Sequence, residues 1–291
     1  MIDKKKLSRR FSKNAHQYDK YAVVQKHMSS HIMDMIKKAK PEKILEIGCG
    51  TGYLTKLILD MFPSAQIRSV DIAPGMIKYA RKNIQSEHVN FECVDIEEMD
   101  LGIEEYDLVI SNATFQWLNN LEKTSEKIIR ALRNGGIMCF STFGENTFNE
   151  LRLSYDKAYR NAEQNIMINS NRNTSSDTSQ TTKKTTSQTT KKTTSQKFFS
   201  QEEIRELYSD RYEGKLCVEE SYEYHYFDSC LEFFYSVKKV GANNCQKNSQ
   251  ECDINLINEM IQIYENEFKF ESGIRATYHK LYVMFVKNIL Q

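Results

Sequence analysis

Glu46-Ile47-Gly48-Cys49-Gly50-Thr51-Gly52 joins an apolar, strand-prone run (43–48, KILEIG) to a helical pattern over 53–62. A strand, a glycine-rich turn and a helix in that order put the glycines at the carboxyl edge of a sheet, where open α/β folds receive ligands. Glycine is needed there because a side chain would block close approach of a ligand to the backbone. The spacing is G-x-G-x-G followed by Tyr53. A dinucleotide fingerprint instead wants its third glycine three positions after the second.

Outward from that turn, residues 43–140 alternate short apolar runs with helical periodicity, the pattern of βα units around a parallel sheet. Strands are predicted at 43–48, 66–71, 89–94, 106–111 and 136–142, the last after the turn Asn134-Gly135. Ala73-Pro74 opens a helix, since proline suits a first helical turn. The result is a doubly wound α/β core over 41–145. Residues 1–40 read as a helical lid, with one or two helices over 9–38. In 146–291 the alternation changes: helices near 146–159, 201–209, 229–240 and 253–268 form a cap, and strands at 216–227 and 276–287 pair as an antiparallel edge. Between 173 and 196 the composition collapses to Thr, Ser, Gln and Lys, with TTKKTTSQ repeated at 181–188 and 189–196. A segment without apolar surface cannot offset its ordering entropy, so a disordered insertion is predicted there.

Forty Lys and Arg against 39 Asp and Glu leave a formal net charge of +1, so no overall field draws the molecule to nucleic acid or a membrane. Any charge-based recognition is local. Residues 1–10 are basic but lack the apolar run of a signal peptide, and no stretch reaches the ~18 apolar residues of a spanning helix. A cytoplasmic, monomeric protein is expected. Cys49, Cys93, Cys139, Cys217, Cys230, Cys245 and Cys252 form no CxxC pair, which argues against a disulfide framework or a zinc site. His27 and His31 share a helix face, but no acidic or cysteine partner lies near them in sequence, so no metal is expected.

Acids recur at successive strand ends. Asp71 closes the second strand, where an acid accepts hydrogen bonds from both ribose hydroxyls of an adenosine. Asp95-Ile96 follows the third strand and brackets an adenine with one polar and one apolar contact; Asn112 ends the fourth. In these motifs the sequence resembles the class I S-adenosylmethionine-dependent methyltransferases over about 43–140. The resemblance implies a Rossmann-like, doubly wound sheet of seven strands whose last pair is antiparallel. It places Gly48, Gly50 and Gly52 near the methionine part, Asp71 on the ribose, Asp95 and Ile96 at the adenine and Asn112 beside the sulfur. Glu46, Cys49, Ile72 and Met76, which flank these positions, join the cofactor-binding set.

Four further segments resemble the malonyl-[acyl-carrier protein] O-methyltransferases of biotin synthesis: Arg10-Phe11-Ser12 with Tyr18-Asp19-Lys20-Tyr21-Ala22-Val23-Val24-Gln25; Ser111-Asn112-Ala113-Thr114-Phe115-Gln116-Trp117-Leu118; Val237-Lys238-Lys239-Val240-Gly241-Ala242-Asn243-Asn244; and Ile274-Arg275-Ala276-Thr277-Tyr278-His279-Lys280-Leu281-Tyr282. The resemblance implies that the free carboxylate of a malonyl thioester, on acyl-carrier protein or coenzyme A, is methylated, with the loaded acyl-carrier protein as partner. By it Tyr18 closes over the cofactor, Gln25 lines the same lid, Gln116 and Trp117 wall the acceptor pocket, and Arg152 is the candidate bidentate clamp on the malonyl carboxylate. Tyr18, Trp117 and Arg152 form the catalytic set. Lys238, Lys239, Arg275 and Lys280 are candidate contacts for the acidic carrier. The repeat at 173–196 is not part of that family's pattern. Three readings stay open: a trans-aconitate-type small-acid methyltransferase, which residues 112–117 also resemble, a quinone-ring methyltransferase, and a binding protein that holds S-adenosylmethionine without turnover.

Overall fold

A computed structural model describes residues 1–173, 198–209, 211–241 and 254–288. Apart from Asn173, the insertion predicted at 173–196 lies outside the described residues.

The lid comprises three helices, α1 (Lys4–Asn14), α2 (Tyr18–Tyr21) and α3 (Val23–Met35). It starts earlier than predicted because the Asp3 carboxylate caps α1, accepting from the Lys6 N–H at 3.0 Å. The core follows as β1 (Lys43–Ile47), α4 (Tyr53–Met61), β2 (Gln66–Asp71), α5 (Pro74–Asn83), β3 (Val89–Cys93), β4 (Tyr106–Asn112), α6 (Leu121–Ala131) and β5 (Leu132–Phe143). Beyond it come α7 (Asn149–Asn173), α8 (Gln201–Ser209), β6 (Gly214–Phe227), α9 (Cys230–Lys239), α10 (Ile254–Glu267), β7 (Lys269–Phe270) and β8 (Gly273–Lys287).

The strand order is β3-β2-β1-β4-β5-β8-β6, with β7 paired to β8 beside that path. The first five strands are parallel; β8 runs antiparallel to both β5 and β6. The seven-stranded sheet with its antiparallel final pair is therefore present, and β7 is an addition. Two residues joined to β8 by a tight turn are too few to show a period in sequence. One predicted boundary moves for a physical reason. Tyr106 pairs with Leu132 and Leu108 with Ile137, so Asn134-Gly135 forms a bulge inside β5 and does not precede it.

Side chains alternate between two buried faces. Ile44, Ile67, Leu108 and Ile110 pack with Met28, Ile32 and Ile36 of the lid segment and Ile58 of α4. Leu45, Val109, Phe140 and Val283 pack on the other face with Ile128 of α6 and with Ile204 and Tyr208 of α8. A sheet covered on both sides needs continuous apolar strands, which is why KILEI carries only one acid. The cap has a core of its own around Phe233, Tyr264 and Ile274. It is pinned to β8 by the buried Glu150, which accepts from the Arg275 Nε and the Thr277 N–H at 3.1 Å each and from the Thr277 hydroxyl. Among the described residues no helix is long and apolar enough to cross a membrane.

Candidate active site

The chain must reverse direction sharply between β1 and α4, and three glycines at positive φ accomplish it: Gly48 (+74°), Gly50 (+55°) and Gly52 (+91°). The Gly48 and Cys49 N–H groups donate to the Val70 carbonyl at 2.7 and 3.0 Å, tying the loop to the end of β2. Thr114 closes over it so tightly that a Cβ on Gly48 would lie 2.0 Å from the threonine Oγ1.

Asp71 stands beside the loop. Its Oδ2 accepts from the Gly50 N–H at 2.9 Å and its Oδ1 from the Ala73 N–H at 2.8 Å. Burial raises its carboxyl to about 6 against the pull of those two bonds. Around it opens a cavity of about 660 Å³, the open space at its mouth included. Gly48, Gly50, Asp71, Ile72, Met76, Asp95, Ile96, Asn112 and Trp117 all line it. These sequence-predicted residues, together with Tyr18, come together in one place.

The other predicted residues lie behind or beside it. Cys49 packs away from the cavity against Ile77, Ala80 and Phe91. Gly52 caps α4. Gln25 contributes its carbonyl, which accepts from the Asn112 Nδ2 at 2.9 Å. Gln116 donates to the Ala113 carbonyl at 2.7 Å and accepts from the Thr142 hydroxyl at 2.9 Å, bracing the loop that carries Trp117. Asn112 itself accepts from the Ser141 hydroxyl at 2.5 Å, so both ends of its amide are engaged.

Glu46 lies beneath the loop, fully buried, and its Oε2 accepts from the Thr55 and Ser69 hydroxyls at 2.6 Å each. Its Oε1 has no hydrogen-bond partner among the described residues. Burial raises this carboxyl to about 7, with the two hydroxyls opposing and Asp71 adding to the rise. A folded-state value above the ordinary one favours the fold at low pH. That stability is full below the unfolded value of 4.5 and is lost as pH climbs to about 7. Glu46→Gln is therefore expected to be more stable than the parent at pH 8 by about 1–3 kcal/mol and to show no such gain at pH 4.5. Thermal unfolding at the two pH values checks this; a parallel pH dependence in both proteins would show that Glu46 does not titrate there.

Arg152 does not reach the cavity. It is exposed and donates to the Asn149 Oδ1 at 2.6 Å. The buried face of α7 carries Glu150, Ser154 and Ala158, one residue per turn, and a position two residues from Glu150 points the opposite way. Of the basic cap residues, Arg275 binds Glu150 at 3.1 Å, and Lys280 is buried with its ammonium 2.8 Å from the Glu223 Oε2. Both already hold a carboxylate; Lys238 and Lys239 end α9.

The sequence reading missed the amino-terminal wall. Lys4, Leu7 and Phe11 of α1 line the cavity. The Lys4 ammonium lies 3.4 Å from the Asp95 Oδ1 and 2.5 Å from the Glu97 Oε2. Leu7 packs on Trp117, and Phe11 meets Trp117 edge-on at 5.6 Å. Asp19 binds the Thr51 hydroxyl at 2.6 Å and so joins α2 to the glycine loop. The i, i+4 spacing of Leu7 and Phe11 was the available signal. His27 and His31 do have acidic partners, Glu223 at 3.0 Å and Glu219 at 2.8 Å, supplied by β6. Among the described residues no group of three or more His, Cys, Asp or Glu is placed to hold a metal.

A backbone cradle that a Cβ would fill, an inward carboxylate and apolar walls suit a nucleoside bearing an amino-acid tail. A methyltransferase-domain family model matches residues 38–213. A malonyl-[acyl-carrier protein] O-methyltransferase of Acetivibrio thermocellus is 42% identical over 99% of this chain and 96% of that protein. The chain belongs to the malonyl-[acyl-carrier protein] O-methyltransferases. A second member, from Priestia megaterium, is 36% identical over 99% of both chains. Among solved structures, a putative methyltransferase from Bacillus halodurans superposes with a TM-score of 0.57 at 10% identity, over 89% of this chain and 98% of that one. That likeness bears on the fold alone. Membership makes the protein an S-adenosylmethionine-dependent O-methyltransferase, and the cavity residues fit that cofactor.

Proposed function

We propose that the protein methylates the free carboxylate of malonyl-acyl-carrier protein, yielding the malonyl methyl ester and S-adenosylhomocysteine in the cytoplasm. The observation that carries this reading is the extent of the likeness to the Acetivibrio enzyme, which runs through lid, core and cap and not merely through the donor-binding half.

The cofactor supplies an electrophilic methyl group on a positively charged sulfur. Gly48 and Gly50 would leave room for its methionine part, Asp71 would accept from the ribose hydroxyls, and Ile72, Met76 and Ile96 would flank the adenine. Both charges vanish as a carboxylate attacks a sulfonium, so a dry site favours the reaction. Leu7, Phe11, Trp117 and Leu118 give this one apolar walls. A carboxylate acceptor is already ionised at neutral pH and needs no base. The lining suits such an acceptor: among the described residues it includes no histidine or cysteine, and its two carboxylates, Asp71 and Asp95, are taken up by the cofactor in this reading. Burial and the charges of Asp71 and Asp19 push the Tyr18 hydroxyl well above the ordinary phenol range, so it would serve as a hydrogen-bond donor and not as a base. A ring-carbon acceptor, which needs its proton removed, is less well served.

The test is methyl transfer by the purified protein to malonyl-acyl-carrier protein, malonyl-coenzyme A and trans-aconitate. The carrier-bound substrate is expected to have the highest kcat/KM, by about tenfold or more over malonyl-coenzyme A, because only it presents a protein surface to bind. Preference for trans-aconitate would overturn the acceptor, and cofactor binding without transfer to any of the three would leave a binding protein.

A further inference from the structure

The charge of this chain is segregated although its total is close to zero. Helices α1 (KKKLSRRFSKN) and α5 (PGMIKYARKN) together hold nine Lys and Arg and no Asp or Glu, whereas the remaining 31 Lys and Arg face 39 Asp and Glu. The two helices abut: the Gly75 N–H donates to the Ser12 hydroxyl at 3.0 Å, and the Ser8 hydroxyl donates to the Ile72 carbonyl at 2.9 Å.

Their inner faces make the site. Lys4, Leu7 and Phe11 from α1 and Met76 from α5 line the cavity. Their outer faces are cationic. Lys5, Arg9 and Lys13 recur every four residues on α1, and Lys78 and Lys82 do so on α5, so each set forms one stripe; all five side chains are exposed. Among the described residues none of the five is ion-paired with a carboxylate, whereas Lys4, on the inner side, is paired twice. A surface field of one sign that frames a cavity raises the local concentration of an oppositely charged partner and orients its approach.

We propose that the α1–α5 face, through Lys5, Arg9, Lys13, Lys78 and Lys82, is the docking surface for the acidic acyl-carrier protein. The inference rests on the acceptor reading above and adds where the carrier sits. A carrier held there sits on two of the helices that wall the cavity. It also replaces the cap lysine and arginine expected from sequence, of which Arg275 and Lys280 are committed to Glu150 and Glu223. Nucleic acid, the other common polyanion, is less well matched: single-strand binders interleave exposed aromatic side chains with their cations. No large hydrophobic or aromatic side chain of α1 or α5 is exposed, while Tyr222, Tyr224 and Tyr226 stand exposed on β6.

Two charge-reversal variants test this, Lys5→Glu/Arg9→Glu/Lys13→Glu and Lys78→Glu/Lys82→Glu. Binding of purified malonyl-acyl-carrier protein is followed by fluorescence anisotropy, alongside KM for that substrate and for malonyl-pantetheine, which lacks the protein. Each variant is expected to raise the carrier Kd and KM about tenfold or more, and added salt to weaken wild-type binding, as for a contact between exposed charges. Turnover of malonyl-pantetheine is expected to stay within about twofold in both variants, since surface substitutions away from a site change little. Should the α1 variant fail to bind S-adenosylhomocysteine, which would report a disturbed lid, the α5 variant decides alone. Unchanged carrier affinity in the α5 variant, or wild-type affinity indifferent to salt, overturns the proposal. So does a 20-nucleotide single-stranded RNA that the wild type binds and both variants release while carrier affinity is intact. If the wild type binds the carrier through these residues but methylates none of the acceptors, the docking surface stands and the acceptor reading falls.

Discussion

Asp71→Asn is expected to weaken S-adenosylhomocysteine binding about 100-fold at pH 8 and only about tenfold at pH 5, by the arithmetic of hydrogen bonds to a charged acceptor. Two ribose hydroxyls donating to a carboxylate contribute about 1.5–3 kcal/mol each, and an amide keeps part of that, so about 3 kcal/mol is lost. The pH dependence follows from the free protein. Its Asp71 carboxyl, raised to about 6 by burial, must be ionised to accept both hydroxyls. Wild-type affinity is therefore flat above about pH 7 and falls about tenfold per unit below 6, while the asparagine variant, having no proton to lose, stays level. Calorimetric titration of S-adenosylhomocysteine between pH 5 and 8 reads both curves. A wild-type curve without the fall would mean that Asp71 does not hold the ribose or does not titrate there.

What sequence could and could not disclose follows from the range over which each residue acts. The loop at Gly48–Gly52, Asp71 and Asp95 are set by their places on consecutive βα units, so a local pattern was enough to bring them to one edge. Trp117 and Tyr18 were reached through family likeness, and both line the cavity. Lys4 was not found, because its partners Asp95 and Glu97 lie about ninety residues away and nothing in a lysine-rich start marks one lysine as inward. Asp19 is similar: its tie to Thr51 exists only once α2 folds over the loop. Arg152 failed for the opposite reason. It was chosen by type within the correct helix, whereas the buried face of α7 is set by Glu150, Ser154 and Ala158, which meet β8 and the rest of the cap. Chemistry of type does not fix direction; helical phase does.

The lid grips the ligand-binding edge of the sheet through polar ties as well as through the apolar packing of Leu7 and Phe11 on Trp117. Asp19 holds Thr51, the Gln25 carbonyl holds Asn112, and Lys4 holds Asp95, so α2, α3 and α1 each grip a different strand end. A change to the loop should therefore be felt in cofactor binding and in stability together, and the loop position with least room is the sharpest place to look.

Gly48→Ala is that change. A Cβ at position 48 would meet the Thr114 Oγ1 at 2.0 Å and its Cγ2 and Cβ at 2.7 and 2.8 Å, and the backbone φ of +74° would persist. The left-handed conformation costs an alanine about 1–2 kcal/mol and the overpacking about 1–3 more. Gly50→Ala separates the two contributions, since φ is +55° there but no atom lies within 4 Å of the added carbon. Gly50→Ala should thus lose about 1–2 kcal/mol and Gly48→Ala about 2–5. Because Thr114 also lines the cavity, its displacement should weaken S-adenosylhomocysteine binding about 100-fold, the effect typical of a roughly 1 Å misplacement at a site. Combining Gly48→Ala with Thr114→Gly opens the space, and a double-mutant cycle on denaturant midpoints should return a favourable coupling of about 1–3 kcal/mol. The strain in φ would remain, so the double variant should recover only in part. A coupling near zero, or equal losses for Gly48→Ala and Gly50→Ala, would mean that backbone strain and not contact with Thr114 is what reserves position 48 for glycine.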